Sequence, residues 1–451
     1  MNYCDYFKGK KITVMGLGLL GRGIGDVRTL AKCGAELIVT DVKTKEQLAS
    51  SLEELSEFSN ITYVLGEHRL EDFRGRDMIL KAAGVSNDSP YIAEARACGI
   101  PIEMSAALFA RLSGIPVIGV TGTRGKSTTT HFIHHVLSHA TGDGVLLGGN
   151  VRGVSNLALL DEVKEDSVAV LELDSWQLQG FGESKISPKV AVFTNFLDDH
   201  LNYYKNDREQ YFSDKAQIFL HQGSGDTFVT TPEVFGRAEV YAKAHGATFP
   251  QEVVLVDESL VPDEWALPLP GVHNRRNIAL ARAALHAMGL EDEVIRAGIE
   301  TFPGLPGRLE FLGEHNGVKI YNDNNATTPD ATIAALEAVA PEGRRVVLIA
   351  GGSEKNLDLD RLVKVIGATC KDVLLIDGTG TGRLHAVLKE KGGVGIRGPY
   401  TALSDAVTEA FEIVQDGDVL LFSPAFASFG MFQNEYQRND QFVALIREHQ
   451  E

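Results

Sequence analysis

The sequence predicts an α/β protein of three domains, built from parallel sheets, along its 451 residues. Short apolar runs rich in Val and Ile end in Gly or a polar residue and alternate with stretches of helical periodicity. Continuous apolar strands between amphipathic helices are typical of parallel sheets that are covered on both faces. The chain is about three times as long as a common domain, and 44% of its residues are hydrophobic. Ten runs predict strands: KKITVMGLG, ELIVTD, DMILKAAG, PVIGVTG, SVAVLELDS, KVAVFTNF, VKIYND, RVVLIAGG, DVLLIDG and DVLLFSP.

Two breaks in this alternation predict the domain boundaries. Residues 112–116 precede a fresh strand, and residues 302–307 carry Pro and Gly through a helical region. We therefore predict a Rossmann-like N-terminal domain over residues 1–113 and a central P-loop ATPase-like domain with a parallel sheet over residues 114–303. A C-terminal Rossmann-like domain is predicted over residues 304–451.

The composition excludes several classes of protein. The 43 basic and 61 acidic residues give a net charge of −18, which argues against nonspecific nucleic-acid binding because that needs a cationic surface. No apolar stretch approaches the roughly 20 residues of a spanning helix, and the N-terminus lacks a signal-peptide layout. We expect a cytoplasmic protein without membrane insertion. The four cysteines, Cys4, Cys33, Cys98 and Cys370, stand far apart, so we expect reduced thiols without a metal or redox role.

The first glycine-rich motif, GLGLLG at residues 16–21, directly follows a predicted strand and opens a predicted helix. Glycine at these positions lets backbone N–H groups and the helix N-terminus approach a diphosphate. Asp41 ends the second strand about 20 residues later, where folds of this kind hold a ribose hydroxyl. The motif predicts nucleotide binding in the first domain. By itself it does not separate NAD from another nucleotide diphosphate.

The second glycine-rich motif, GVTGTRGKSTTT at residues 119–130, follows the strand PVIGV and precedes a predicted helix. Loop amides and Lys126 would hold phosphates there, and the Ser127 hydroxyl would ligate Mg²⁺. Val120 occupies the first glycine position of the strict GxxxxGKS form. The loop nevertheless keeps every group that this chemistry needs, so it predicts ATP binding.

Polar residues at two later strand ends point to the same site. Glu172 ends a buried strand, where a carboxylate faces the active crevice of a parallel sheet and can coordinate Mg²⁺. Asp199 and His200 follow the strand end TNF, and we interpret both as functional. Lys215 lies in YFSDKAQIF, where its residue type alone indicates a solvated helix lysine.

Nine segments resemble those of the Mur ligases in order and spacing, over essentially the whole chain. The ATP loop, the DDH stretch and HNRRN mark the family, whereas the short glycine-rich N-terminal domain and SPAFAS resemble its MurD-type branch. The segments are TGTRGKSTTT, LELDSWQL, TNFLDDH, YFSDKAQIF, GVHNRRNIALARAAL, GLPGRLE, YNDNNATTPDAT, GGSEKNLD and FSPAFASFGMF.

The resemblance implies a cytoplasmic ligase of peptidoglycan precursor synthesis. Its reaction would be the ATP-dependent addition of D-glutamate to UDP-N-acetylmuramoyl-L-alanine through an acyl phosphate. The resemblance further implies two Mg²⁺ ions, a carbamylated lysine at Lys215 and a monomeric protein.

The same resemblance implies the site residues, position by position. Lys126, Glu172, His200 and Lys215 would be catalytic, and Ser127, Glu172, His200 and carbamylated Lys215 would ligate the metal ions. ATP would contact Gly122, Thr123, Arg124, Gly125, Lys126, Ser127, Thr128, Asn274, Arg308 and Asp323. The UDP-substrate would contact Leu19, Leu20, Asp41, Gly84 and Asn150. The acceptor amino acid would contact Thr327, Lys355, Ser428 and Phe429.

Several positions depart from the family pattern. Arg124 replaces the usual Asn of the ATP loop, and Asp174 and Trp176 replace Ser and Phe. Further departures are Gly307 for His, Asn324-Asn325 for Ser-Lys, and the reversed order Glu435-Tyr436. The Glu435-Tyr436 order and the sequence Thr327-Thr328-Pro329 leave L-glutamate or another acidic acceptor open.

Other functions remain to be weighed against this one. A related ligase such as folylpolyglutamate synthase shares the central machinery but lacks the separate glycine-rich N-terminal domain. An NAD-dependent dehydrogenase would use the first glycine motif and leave Lys126, Glu172 and His200 without a role. A noncatalytic nucleotide-binding protein is the third alternative.

Overall fold

The computed structural model describes residues 3–18, 21–200, 203–391 and 393–450. These residues form three sheets flanked by helices, which confirms the predicted α/β class, and all ten predicted strands are present. The chain divides into two compact units, Met1–Trp265 with Arg276–Ile299 and Ala266–Arg275 with Glu300–Glu451. The boundaries at residues 113/114 and 303/304 stay predictions. Among the described helices, none has both the length and the apolar character needed to cross a membrane.

The first sheet is formed by five parallel strands, β1 (Lys11–Met15), β2 (Glu36–Asp41), β3 (Ile61–Leu65), β4 (Met78–Lys81) and β5 (Ile102–Glu103). Its helices are α1 (Tyr3–Phe7), α2 (Arg22–Lys32), α3 (Ala49–Glu53), α4 (Pro90–Ala97) and α5 (Ser105–Leu112). The strand order is β3-β2-β1-β4-β5. The order reverses between β1 and β4, and open α/β sheets bind ligands at the carboxyl ends of the two strands on either side of such a reversal.

The second sheet has six parallel strands, β6 (Val117–Thr121), β7 (Val145–Gly149), β8 (Val168–Glu172), β9 (Val190–Phe193), β10 (Thr227–Thr230) and β11 (Glu252–Leu255). The helices that follow along the chain are α6 (Lys126–Thr141), α7 (Ser175–Ser184), α8 (Arg208–Ala216), α9 (Pro232–Ala244), α10 (Val272–Ala287) and α11 (Asp292–Glu300). The strand order is β11-β10-β9-β6-β8-β7. The ATP loop after β6 therefore lies between the carboxyl ends of β8 and β9.

The third sheet contains β12 (Glu310–His315), β13 (Val318–Asn322), β14 (Val346–Ala350), β15 (Cys370–Ile376), β16 (Gly395–Tyr400) and β17 (Val419–Phe422), in the order β12-β13-β17-β14-β15-β16. Its helices are α12 (Pro329–Val339), α13 (Asp360–Thr369), α14 (Thr381–Lys391), α15 (Leu403–Ile413) and α16 (Glu435–Gln450). The sequence predicts parallel sheets, but this sheet is mixed, because β12 pairs with β13 in the antiparallel sense. Asn316 and Gly317 form the turn with φ of 49° and 76°, which is typical of a two-residue hairpin.

Strand β14 shows why this sheet needs helices on both of its faces. Val346 and Leu348 pack into one apolar cluster, whereas Val347 and Ile349 pack into another. Successive side chains of a strand point to opposite faces. A run of five buried residues, VVLIA, therefore contributes to two cores at once.

Asp26 of α2 joins the first sheet to the second within one unit. Its Oδ1 accepts hydrogen bonds from Ser155 Oγ at 2.7 Å and from the Leu157 amide at 3.1 Å. A Cβ atom at Gly25 would lie 2.4 Å from Ser155 Cβ, so only glycine allows this approach. Burial raises the pKa of Asp26, and the hydrogen bonds from Ser155 and Leu157 oppose that rise. Two hydrogen bonds thus compensate part of the cost of a buried carboxylate.

The prediction of four reduced cysteines is wrong for two of them. Cys4 of α1 and Cys33 after α2 form a disulfide with their Cα atoms 4.7 Å apart. The fold brings them together because α1 and α2 contribute Phe7 and Leu30 to one apolar core, an arrangement that the spacing in sequence does not reveal. Cys98 is exposed and Cys370 is buried, and both are free thiols.

We predict that reduction of the Cys4–Cys33 disulfide lowers the free energy of unfolding. Closing a loop of 29 residues stabilises the folded state by about 3 kcal/mol, chiefly by restricting the unfolded chain. Thermal melting of the wild type should therefore shift to lower temperature with a reductant, whereas melting of Cys33→Ala should not. Cys98→Ser, which removes a free thiol, is the control and should respond as the wild type does. Equal melting of the wild type in both buffers would contradict the prediction.

Candidate active site

Two glycines shape the ATP loop between β6 and α6. Gly122 has φ of 141° and Gly125 has φ of 81°, conformations that glycine adopts without steric cost. A Cβ atom at Gly122 would lie 1.9 Å from Thr194 Oγ1, and one at Gly125 would lie 2.3 Å from Asn277 Oδ1. Gly125 is the residue that precedes α6, so Lys126, Ser127 and Thr128 form the first turn of that helix.

The side chain of Lys126 folds back onto the ATP loop. Its Nζ donates hydrogen bonds to the carbonyl oxygens of Gly122 at 3.0 Å and Thr123 at 3.1 Å. Burial lowers the pKa of Lys126, and the nearby Glu172 carboxylate opposes that change. The ammonium group therefore lies where a phosphate held by the loop amides would meet it.

The segment after β9 holds the ATP loop in place. Thr194 Oγ1 and Asn195 Nδ2 both donate to the Arg124 carbonyl, at 2.5 and 3.1 Å, and the Arg124 amide donates to Asn195 Oδ1 at 2.9 Å. The Arg124 guanidinium also forms an ion pair with Asp199, with Nη1 and Oδ2 2.9 Å apart. Sequence reasoning missed Thr194, Asn195 and Asn277 as site residues. The available signal was the pair of polar residues directly after the buried strand VAVF.

Glu172 and Asn150 are neighbours at the carboxyl ends of β8 and β7. The Asn150 amide donates to the Glu172 carbonyl at 2.7 Å, and Asn150 Nδ2 lies 3.4 Å from Glu172 Oε1. Asn150 Oδ1 accepts a hydrogen bond of 2.7 Å from Nη1 of Arg22 in the first sheet's helix α2. The structure thus brings a predicted substrate residue and a predicted metal ligand into contact.

His200 lies next to Asp199 and against the ring of Trp176. Its Nε2 is 3.7 Å from Asp199 Oδ2, its ring centroid is 5.0 Å from that of Trp176, and its side chain is 41% exposed. Among the residues that the structure describes, no three His, Cys, Asp or Glu side chains form a metal-binding group. Mg²⁺ commonly takes only one or two carboxylates, with phosphate and water oxygens completing its shell. The oxygen donors of Ser127 and Glu172 are of the type that such an ion takes, whereas the His200 nitrogen is a less typical Mg²⁺ ligand.

Lys215 is buried, so the interpretation of it as a solvated lysine is wrong. Helix α8 places its Nζ 2.8 Å from the Gly122 carbonyl and 4.9 Å from the centroid of the Tyr211 ring. Burial lowers the pKa of Lys215 well below its usual range, and the charge of Lys126 lowers it further. This shift is in the direction of the neutral amine, which is the form that reacts as a nucleophile.

Asp174 adds a carboxylate next to the two lysines. It precedes α7 and accepts a hydrogen bond of 2.8 Å from the Gln177 amide, which caps that helix. Burial raises the pKa of Asp174, whereas Lys126 and Lys215 lower it. The surroundings of the ATP loop thus combine three cationic side chains with the carboxylates of Glu172, Asp174 and Asp199.

In the first sheet, Asp41 organises the glycine turn. Its Oδ2 accepts hydrogen bonds from the amides of Leu17 at 3.0 Å and Gly18 at 3.1 Å, and the carboxylate is buried. The ribose contact of Asp41 stays a prediction. Gly84 follows β4, and a Cβ atom there would meet nothing within 4 Å. Leu19 and Leu20 lie outside the described residues.

The remaining predicted ATP contacts belong to the other unit. Asp323 follows β13, and its carboxylate accepts hydrogen bonds from the Leu309 amide at 3.1 Å and Ser423 Oγ at 2.9 Å. Burial raises the pKa of Asp323 to about 7, while the charge of Arg308 opposes the rise. Asn274 is buried and donates to the Pro270 carbonyl at 2.8 Å. Arg308 and Asp323 are therefore close enough to act on one ligand.

The predicted acceptor residues follow three neighbouring strands of the third sheet. Lys355, after β14, is exposed and lies with its Nζ 3.3 Å from Oγ1 of Thr327, which follows β13. Backbone hydrogen bonds of 2.8 and 3.2 Å join Ser353 to Ala427, so the segment after β17 lies beside the Lys355 loop. In that segment Ser428 is buried and Phe429 is 62% exposed. All four residues thus lie at one edge of this sheet.

Comparisons with known proteins agree with the resemblance seen in the sequence. Three family models match: Mur ligase MurD-like, N-terminal domain (residues 10–103), Mur ligase middle domain (120–233) and Mur ligase, glutamate ligase domain (307–426). The UDP-N-acetylmuramoylalanine–D-glutamate ligase of Roseiflexus sp. (strain RS-1) is 38% identical over 97% of this chain and 98% of its own.

Solved structures share the fold. The UDP-N-acetylmuramate-alanine ligase MurC of Thermotoga maritima covers 98% of this chain and 100% of its own, with a TM-score of 0.60 and 21% identity. Folylpolyglutamate synthase of Mycobacterium tuberculosis covers 76% of this chain and 93% of its own, with a TM-score of 0.58 and 17% identity. Three family models along the chain and a relative at 38% identity over nearly its full length lead to one conclusion: the chain belongs to the Mur ligase family.

Proposed function

We propose that the protein catalyses the ATP-dependent addition of D-glutamate to UDP-N-acetylmuramoyl-L-alanine. The observation that carries the proposal is the contact of Asn150 with both Arg22 of the glycine-motif domain and Glu172 beside the ATP loop. A MurD-like N-terminal family model and a full-length relative of that activity support it. The protein acts in this proposal as a cytoplasmic monomer in peptidoglycan precursor synthesis.

The reaction has two steps that balance without a further reactant. An oxygen of the substrate's alanyl carboxylate attacks the γ-phosphorus of ATP, the bond to the bridging oxygen breaks, and ADP leaves with an acyl phosphate formed. The glutamate amine then attacks the acyl carbon, loses a proton, and inorganic phosphate leaves. Both steps bring anions or developing anions together, so the site has to supply positive charge and fixed positions.

Cationic side chains meet the first of these needs. Lys126 already lies against the loop carbonyls and would exchange them for the β- and γ-phosphates, which are stronger acceptors. Arg124 forms its ion pair with Asp199 at the same loop and offers a second cation for the phosphates. Ser127, Glu172 and His200 would hold Mg²⁺, which neutralises charge on the transferred phosphoryl group when bound.

Lys215 serves best as a carbamate in this proposal. Burial lowers its pKa and so disfavours the ammonium form, and in the neutral form the Nζ lone pair would attack the carbon of CO₂ and release one proton as the N–C bond forms. The product is an anion, where the amine was neutral, and its oxygens can ligate Mg²⁺. A carbamate at Lys215 would also attract Lys126, whereas the ammonium form of Lys215 is disfavoured by the charge of Lys126.

The acceptor site suits an acidic amino acid. Lys355 is exposed at the edge of the third sheet, with Thr327 at 3.3 Å, so its ammonium group can meet a side-chain carboxylate. The Ser428 hydroxyl and the backbone beside it can donate to the same group. D-glutamate is proposed because the chain follows the MurD pattern, and L-glutamate is a distinct outcome of the assay below.

Neither alternative enzyme accounts for as much of the molecule. Folylpolyglutamate synthase matches only 76% of this chain and leaves the glycine-motif domain without a substrate. A nicotinamide-dependent dehydrogenase would give no role to Lys126, Glu172 and Lys215 at the glycine-rich loop after β6.

We predict that phosphate release requires ATP, UDP-N-acetylmuramoyl-L-alanine and an acidic amino acid together. The assay offers D-Glu, L-Glu, D-Asp, Gly and L-Lys separately and identifies the product by chiral analysis, with D-Glu expected to be preferred. Lys355→Ala should raise the KM for glutamate about ten- to a hundredfold, since one charge-assisted contact is lost, and should leave the KM for ATP nearly unchanged. Lys364→Ala, an exposed lysine of α13, is the control. Preference for Gly or L-Lys would show that the acceptor site is misread.

We predict that Lys126→Ala abolishes ligation and retains binding of the UDP-substrate, because the lysine serves ATP and the substrate is held by the first sheet. Calorimetry with the UDP-substrate and a ligation assay measure the two properties separately. Lys243→Ala, which removes an exposed lysine of α9, should retain both. Loss of both properties in a folded Lys126→Ala variant would contradict the assignment.

We predict that Lys215→Ala is nearly inactive and that a short carboxylic acid such as acetate or formate restores part of its activity. The acid would occupy the space of the truncated side chain and supply the missing oxygens. Initial rates with and without the acid test this, and mass spectrometry of the wild type at alkaline pH should detect the added CO₂. The acid should not increase the rate of Lys243→Ala. Full activity of Lys215→Ala without any acid would refute the role of a carbamate.

A further inference from the structure

We propose that Arg22 binds the diphosphate of the UDP-linked substrate and, with the same guanidinium group, positions Asn150 beside Glu172. This inference rests on the proposed function, because it assumes that the glycine-motif domain holds a UDP-substrate. It assigns a binding and positioning role to a residue that follows the glycine motif rather than belonging to it.

Two amides in the described part of the glycine turn are engaged within the protein. The amides of Leu17 and Gly18 donate to Asp41 Oδ2 at 3.0 and 3.1 Å, so neither is available to a phosphate oxygen while that carboxylate remains there. Asp41 also brings a negative charge to the turn, which repels a diphosphate. A cation close to the turn would offset that repulsion.

Arg22 is placed to supply that cation. It is the first residue of α2, an eleven-residue helix without an acidic residue in its first turn, and helix N-termini favour anions. It directly follows the motif, whose Gly16 packs against the end of β4, since a Cβ atom there would lie 2.9 Å from Ala82 Cβ. Arg22 thus stands at the crevice between β1 and β4, where the strand order of the sheet reverses.

Most donors of the Arg22 guanidinium group remain available. Within the described part of the chain its one hydrogen bond is to Asn150 Oδ1, through Nη1 at 2.7 Å. Asp26, one turn later, already accepts hydrogen bonds from Ser155 and Leu157. A guanidinium group carries five N–H donors in a planar fork that matches phosphate oxygens. Arg22 can therefore bind a diphosphate without releasing Asn150.

The contact with Asn150 extends the effect of Arg22 to the catalytic carboxylate. Because Asn150 Oδ1 accepts from Arg22, its Nδ2 faces Glu172 Oε1 at 3.4 Å. The backbone amide of Asn150 fixes the same pair by donating to the Glu172 carbonyl at 2.7 Å. A diphosphate that immobilises Arg22 would also immobilise this amide, so substrate binding in the first sheet would order a side chain of the second.

The test compares UDP with uridine, which lacks the diphosphate, by calorimetry. Arg22→Ala should weaken UDP binding about ten- to a hundredfold, since one or two charge-assisted hydrogen bonds are lost, and should leave uridine binding unchanged. Arg22→Lys keeps the charge without the planar fork and should give an intermediate UDP affinity. At saturating UDP-substrate, the kcat of Arg22→Ala should still fall because Asn150 loses its partner.

Arg28→Ala is the matched control, because Arg28 lies on the same helix and pairs instead with Glu54 at 2.8 Å. It should keep the wild-type ratio of UDP to uridine affinity and the wild-type kcat. A purely structural role for Arg22 would lower the melting temperature and leave that ratio at its wild-type value, and this result in Arg22→Ala or Arg22→Lys overturns the inference. A wild-type protein that binds no UDP would instead overturn the proposed function on which the inference rests.

Discussion

Burial of several charges around one short loop is the constraint on which the rest of the candidate site depends. Lys126 and Lys215 both lie against the Gly122 carbonyl, where burial lowers the pKa of each. Such a group of cations is tolerable only with nearby anions or ligands. Glu172 and Asp174 supply part of that balance, and the phosphates of ATP would supply more. The protein therefore balances the positive charge around the loop only in part, and bound ATP would supply the remaining negative charge.

The parallel sheet explains why these charges come from distant parts of the sequence. Carboxyl ends of neighbouring parallel strands share one edge, so residues after β6, β8 and β9 meet without being close in the chain. The same geometry gathers Thr327, Lys355 and Ser428 after β13, β14 and β17 of the third sheet. In both units a buried apolar strand acts as a rigid support, and the polar residue that follows it contributes the chemistry.

The elements predictable from sequence are those with a strong local signal. Buried strands such as VVLIA are continuous apolar runs, and the ATP loop combines two glycines with Lys126, so the amino-acid pattern alone is enough to locate both. The burial of Lys215 does not follow from its residue type, because it depends on where helix α8 packs. The Cys4–Cys33 disulfide escapes prediction for the same reason, since only the fold brings α1 to the end of α2. Contacts between separate helices and strands produce no periodic pattern in the sequence.

The buried carboxylate of Asp26 also bears on whether the first sheet can be separated from the second. If this packing were kept without the partners at Ser155 and Leu157, Asp26 would be buried without the hydrogen bonds that offset its desolvation. The first sheet is therefore matched to the segment around residue 155, even though its strand order is that of a complete open α/β sheet. An exchange of this region between related ligases would have to include the loop around residue 155. The segment exchanged would therefore be larger than the first sheet alone.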